Sequence, residues 1–239
     1  MSNPEFGLRE TLRFLVTAFG CAAVMAGGAP AIAANELASG DTYVYRLVNG
    51  YNNEVRGQLH YLVEKVDPGT FTVSVTPDSS WAGVQRVETY TKDGNWLRHQ
   101  LASHGQNVEY VFESAYPAYV FPLEPGKSWS VRVNAMVPGA ATPRSVRVDG
   151  TVLGRERIRV PAGEFDTVKI RRVIYPGDAY FYLNETKIIE YDWFAPALGR
   201  TVRTDSRSEY IDTSRCGRGG GTCMFRGDWD VFELVDAKR

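Results

Sequence analysis

Period-two alternation runs through nearly the whole chain after its first thirty-odd residues, and it commits most of the sequence to β-strands. Val55, Gly57, Leu59, Tyr61 and Val63 share one face of a segment whose other face is mostly filled by Arg56, Gln58, His60 and Glu64. Successive side chains of a strand point to opposite faces, so such a segment builds a sheet with one dry and one wet side. Asp67-Pro68-Gly69-Thr70 then turns the chain, and Phe71, Val73 and Val75 continue opposite Thr72, Ser74 and Thr76. Alternation on both sides of a Pro-Gly turn predicts a β-hairpin.

The same grammar recurs. Lys92-Asp93-Gly94-Asn95 joins a strand ending near Thr91 to one from Trp96 to Leu101, and Glu124-Pro125-Gly126-Lys127 leads into Trp129, Val131, Val133 and Ala135. Val146 and Val148 alternate with Arg147 and Asp149, and Pro161-Ala162-Gly163-Glu164 separates Ile158 and Val160 from a return strand, Phe165 to Tyr175. Further strands fit Thr186–Phe194, Thr201–Ile211 and Trp229–Val235. The expectation is roughly a dozen antiparallel strands of about 5–10 residues each. Beyond the first 33 residues no long stretch has a helical period, no repeat of fixed length is evident, and no low-complexity linker divides the series.

A dozen one-sided strands cannot stay flat, because twist accumulates and the apolar face needs cover. The predicted fold is therefore all-β: a curled antiparallel sheet, half-barrel or barrel-like, or two packed layers. A lipid-spanning barrel fits poorly, since charged outward faces would meet lipid and the chain ends in Asp236-Ala237-Lys238-Arg239 without an aromatic anchor.

The first 33 residues read as a secretory signal. Arg9 and Arg13 precede an apolar run from Phe14 to Met25, and Ala31-Ile32-Ala33 supplies a small-x-small cleavage site. The run is shorter than the ~20 apolar residues that a membrane span needs. Cys21 raises the alternative of a lipid-anchored lipoprotein, but Phe19 is bulky where such signals want a small residue. The expected organisation is a signal over 1–33 and one β domain over 34–239, exported to the periplasm without a further transmembrane span. The 27 basic and 28 acidic residues give a formal net charge of −1. Such a balance offers no general attraction to nucleic acid or to an anionic membrane.

Cys216 and Cys223 bracket a glycine-rich stretch, Gly217-Arg218-Gly219-Gly220-Gly221-Thr222. In an oxidising compartment this spacing predicts a loop-closing disulfide. A zinc site is the competing reading, and no second cysteine pair or nearby histidine completes its ligands. Strand-like flanks likewise argue against a phosphate cradle, which needs a helix after the glycines. No metal or cofactor is expected. His60, His99 and His104 are the only histidines, and no nucleophile elbow or metalloprotease motif accompanies them.

Two patterns could carry binding. Arg155, Arg157 and Arg159 share one strand face, with Lys169 and Arg171 on the expected partner strand. This is either an anion-facing patch or one side of a set of cross-strand ion pairs with acids such as Glu156 and Glu164. Val202, Thr204, Ser206, Ser208 and Tyr210 form a small, hydroxylated face opposite Arg203, Asp205, Arg207 and Glu209. That face could line a cavity holding ligand or water, or belong to an edge strand with little to bury.

Three motifs, in order, resemble a known family. Gly154-Arg155-Glu156-Arg157-Ile158-Arg159-Val160-Pro161-Ala162-Gly163-Glu164-Phe165 continuing to Lys169-Ile170 is similar to the V-P-A-G-x-F hairpin of uncharacterised exported bacterial β-proteins, a domain of unknown function. Trp193-Phe194-Ala195-Pro196-Ala197-Leu198-Gly199-Arg200-Thr201-Val202-Arg203 resembles their W-(Y/F)-A-P-x-x-G-x-V-(R/K) segment, and Leu123-Glu124-Pro125-Gly126-Lys127-Ser128-Trp129 their L-x-x-G-x-x-W segment. The resemblance implies a curled antiparallel sheet around a groove, distantly like periplasmic lipoprotein-localisation carriers, and no catalytic residues. The resulting expectation is a non-enzymatic envelope protein binding an amphiphile or envelope polymer in the concave face. Trp129 and Trp193 would form its apolar floor, with the arginines near the rim. The alternatives are an envelope protein–protein interaction module and a hydrolase using Asp192 or Glu190.

Overall fold

The computed structural model describes residues 37–103, 106–177, 186–212 and 223–239. The signal with Cys21, His104, and Cys216 of the expected disulfide lie outside the described residues.

Alternation becomes twelve strands: β1 (Thr42–Asn49), β2 (Val55–Val66), β3 (Thr70–Pro77), β4 (Arg86–Thr91), β5 (Trp96–Ser103), β6 (Gln106–Tyr116), β7 (Ser128–Met136), β8 (Arg144–Val160), β9 (Gly163–Tyr175), β10 (Lys187–Ala195), β11 (Arg200–Ile211) and β12 (Met224–Lys238). Each pairs antiparallel with its neighbours in sequence, and β12 returns to β1 in a register running from Thr42–Lys238 to Asn49–Asp230. The sheet is therefore a closed barrel, which settles the choice left open between half-barrel, barrel and layers. Closure also gives every strand a neighbour on both sides. β1 and β6 are not among the segments singled out from the alternation. A 3₁₀ turn at Ser80–Ala82 is the one helical element among the described residues.

The inward faces carry the core. Tyr43, Val73, Val146, Val148, Val152, Ile170 and Ile174 are buried completely. Around β7, β8 and β9 the interior is filled by side chains. Trp129 lies over Gly150, its cross-strand partner, where a Cβ would overlap the indole. The outer wall is charged instead: Glu233 bridges Arg46 at 2.5 Å and Arg203 at 2.6 Å, and Lys187 meets Glu209 at 2.6 Å.

One end of the barrel is stopped by the β6–β7 connection. β6 and β7 pair through Val111–Met136 and Phe112–Ala135, and the chain between them fills the widening gap. Ala118, Tyr119 and Leu123 are buried, the Tyr119 N–H donates to Asn95 Oδ1 at 2.8 Å, and Trp129 Nε1 donates to Pro117 O at 3.0 Å. The turns β2–β3, β4–β5, β8–β9 and β10–β11 share this closed end.

Candidate functional site

The other half of the interior is not filled. A cavity of about 240 Å³ lies between the inward faces of β1–β5 and β10–β12. Among the described residues, none from β7 or β8 lines it. Its wall is aromatic and aliphatic on one side (Leu47, Leu59, Phe71, Phe232) and hydroxylated on the other (Thr204, Ser206, Ser208).

Charges are built into this wall. Arg172 of β9 is 2% exposed and sits directly across the ladder from Glu190 of β10. Its Nη2 donates to Glu190 Oε2 at 3.0 Å and Asp192 Oδ2 at 2.5 Å, and its Nη1 to Ala118 O at 3.1 Å. The remaining carboxylate oxygens are also occupied: Thr204 Oγ1 donates to Asp192 Oδ1 at 2.7 Å and Ser206 Oγ to Glu190 Oε1 at 3.2 Å. Tyr119 adds a hydroxyl donor to Asp192 Oδ2 at 3.1 Å. A buried arginine survives only when paired and hydrogen-bonded in this way.

A second cluster surrounds Glu88 of β4, which is 1% exposed. Arg86 Nε donates to its Oε1 at 2.6 Å, the Tyr90 hydroxyl donates to Oε2, and His99 Nδ1 lies 3.5 Å from Oε2. Burial alone would raise the Glu88 carboxyl, but His99, Arg86 and the hydrogen bonds outweigh it and hold it below the usual carboxylate range. His99 stacks on Trp96 with ring centroids 4.0 Å apart.

Asp228 and Asp230 of β12 line the cavity near its other end, where Arg56 contacts both, at 3.3 Å and 2.7 Å. Burial, then the neighbouring Asp228, pushes Asp230 up to about 6 against the opposing pull of Arg56. The folded chain thus holds this proton more tightly than the unfolded chain does. The corresponding stabilisation is complete below pH ~4 and is lost as pH rises through about 6. Asp230→Asn is expected to flatten this decline, gaining on the order of 2 kcal/mol over the wild type at pH 7. Urea midpoints at pH 4, 5, 6 and 7 would measure it; parallel profiles for the two proteins would refute it.

The residues singled out from sequence divide. Thr204 and Ser206 line the cavity, with Ser208. Tyr210 lies beyond a register shift on β11, stacked on Phe225 at 5.7 Å, and is not part of the lining. Trp129 points inward but belongs to the filled half. Trp193 corrects the expected apolar floor, because it stands on the outer wall. Lys169 lies 4.5 Å and Arg203 5.3 Å from its ring, and its Nε1 donates to Glu156. Arg157 pairs with Asp166 at 3.0 Å and Arg159 with Glu164 at 2.5 Å on the exposed β8–β9 hairpin, so the cross-strand reading describes them. Arg155 is exposed on the same hairpin, and none of the three reaches the cavity. Arg86, Arg172, Arg200, Asp228 and Asp230 are the charged lining residues that the strand pattern did not single out. Their one sequence signal is a charged residue in phase with apolar inward neighbours, as Arg172 is between Ile170 and Ile174.

No family model and no curated protein matches the chain. Solved structures do. A candidate lipoprotein of Parabacteroides distasonis superposes with a TM-score of 0.50 at 13% identity, over 84% of this chain and 96% of that one. The likeness is one of fold. A candidate exported protein with a YmcC-like fold from Bacteroides fragilis matches at a TM-score of 0.45 and 14% identity, over 84% of this chain and 97% of that one. The hypothetical lipoprotein YmcC of Escherichia coli matches at a TM-score of 0.39 and 9% identity, over 83% and 85%.

Proposed function

We propose that the protein is a non-enzymatic component of the cell envelope that binds an amphiphile inside its barrel. The observation that carries this reading is the two-sided cavity. Leu47, Leu59, Phe71 and Phe232 offer a surface for an apolar tail, and the hydroxyls of β11 face them. Small-molecule sites are concave, mostly apolar and equipped with a few placed polar groups. Closure of the sheet narrows the ligand class: a polymer could present an end to the cavity but could not lie along an open concave face. A hydrolase is less well supported. Both oxygens of Glu190 and of Asp192 already accept hydrogen bonds, and general acid catalysis needs a carboxyl free to hold and release a proton.

Export belongs to the same reading, with the mature chain starting near Ala34, free of lipid at Cys21, and Cys216 joined to Cys223. A docking role has one observation in its favour. Every strand has a neighbour on both sides, but Trp81, 80% exposed, and Val84, 65% exposed, stand beside the cavity-lining Ala82 and Gly83.

Native mass spectrometry of the full chain secreted into a bacterial periplasm tests both parts. The expected spectrum has a mature mass starting near Ala34, two hydrogens short, with an adduct that solvent extraction removes. A clean apo mass in every preparation would overturn the amphiphile reading in favour of docking, and a lipid-modified Cys21 would overturn the proposed release.

A further inference from the structure

Arg200 opens β11 at the closed end of the barrel and lines the cavity. It differs from the other arginines that line the cavity, Arg172 and Arg86. Arg172 is matched by Glu190 and Asp192, Arg86 by Glu88, and Arg56 by Asp228 and Asp230. Among the described residues no carboxylate lies within ion-pair distance of Arg200. Its neighbours are tyrosines: the guanidinium lies 4.1 Å from the Tyr43 ring and 5.6 Å from the Tyr61 ring, with Tyr45 and Tyr90 close by. Its buried Nη1 has no hydrogen-bond acceptor.

These tyrosines cannot supply the missing charge. Burial raises the Tyr45, Tyr61 and Tyr90 hydroxyls above their ordinary value, so they remain neutral at physiological pH. The Arg172 cluster holds two carboxylates against one guanidinium, and neither carboxylate is within ion-pair distance of Arg200. Cation–π contacts and a hydrogen bond to the Tyr45 hydroxyl favour the guanidinium, but they leave the Nη1 donors without an acceptor. A planar fork of this kind matches a carboxylate or a phosphate.

We infer that Arg200 is the receptor for a single anionic group, carboxylate or phosphate, at the inner end of the cavity. This rests on the binding reading above and specifies the head group of its ligand. The anion sits against Arg200 among the tyrosines, and an attached chain runs along Leu47, Leu59 and Phe232.

Calorimetric titration of the full mature protein with octyl phosphate, octyl glucoside and inorganic phosphate tests the assignment. Octyl phosphate is expected to bind at least about tenfold more tightly than octyl glucoside, a difference of ~1.4 kcal/mol. Arg200→Gln should reduce that preference to within about threefold, and Arg200→Lys, which keeps the charge but not the fork, should fall between. Without ligand, Arg200→Gln should melt no lower than the wild type, whereas a purely structural arginine would lose stability on replacement. Equal binding of both octyl compounds would overturn the anion assignment and leave the amphiphile reading standing. Inorganic phosphate binding as tightly as octyl phosphate, and depending on Arg200, would do the reverse. Binding of none of the three, or a preference unchanged in Arg200→Gln, would overturn the assignment outright.

Discussion

Arg172→Met is expected to lower the unfolding free energy by about 3–5 kcal/mol, the cost of leaving buried charge without its partner. The guanidinium is enclosed by the Trp96 and Tyr119 rings, 5.4 and 5.6 Å away, and directs its donors at Glu190, Asp192 and Ala118 O. Burial works against its charge, but Asp192 and Glu190 more than compensate and hold it a cation. Methionine fills comparable space and leaves two carboxylates in the interior with only hydroxyl donors. Urea unfolding at pH 7 measures the loss. The triple variant Arg172→Met, Glu190→Gln, Asp192→Asn should recover most of it, because a buried ionic cluster replaced as a whole often costs little. A single variant within 1 kcal/mol of the wild type would mean that cavity water solvates the two carboxylates.

Glu88→Ala is the second large effect, about 3 kcal/mol at pH 7, because it strands Arg86 in a largely buried position and removes the acceptor of the Tyr90 hydroxyl. Its pH dependence has a definite sign. The folded-state carboxyl lies below its unfolded value of 4.5, so the stabilisation is complete above pH ~5 and fades as pH falls. The gap between wild type and Glu88→Ala should therefore narrow from pH 7 to pH 3, opposite to the trend expected for Asp230. A gap that stays constant would show that packing, not charge, dominates at this site. Glu88→Gln keeps both acceptor and volume and should lose less than Glu88→Ala.

The alternation of β2, β3 and β11 was legible because those strands present different chemistry on their two faces, and the structure keeps the sides that the pattern assigns. β10 was legible as a strand but misleading in orientation. Ile189, Tyr191 and Trp193 make its more apolar face, and by hydrophobicity alone that face belongs inside. The barrel turns it outward, where Lys169 and Arg203 cover Trp193. Glu190 and Asp192 turn inward because Arg172, on the adjacent strand, arrives in register to neutralise them. The hydroxyl face of β11 then makes sense: Thr204 and Ser206 are donors to those two acids.

Local pattern determined the kind of elements, most of the turns between them and the need to curl. Period-two alternation and turn chemistry act between near neighbours, and both can be read along the chain. Tertiary structure alone decided that the sheet closes, that one half of its interior packs solid while the other holds a cavity, and that charges line that cavity. Those outcomes depend on which side chains meet across strands far apart in sequence, as Arg172 meets Ala118 and Arg200 meets Tyr43. A charge can occupy a core position only when its partners arrive there with it, and pairing at that range is a property of the folded barrel.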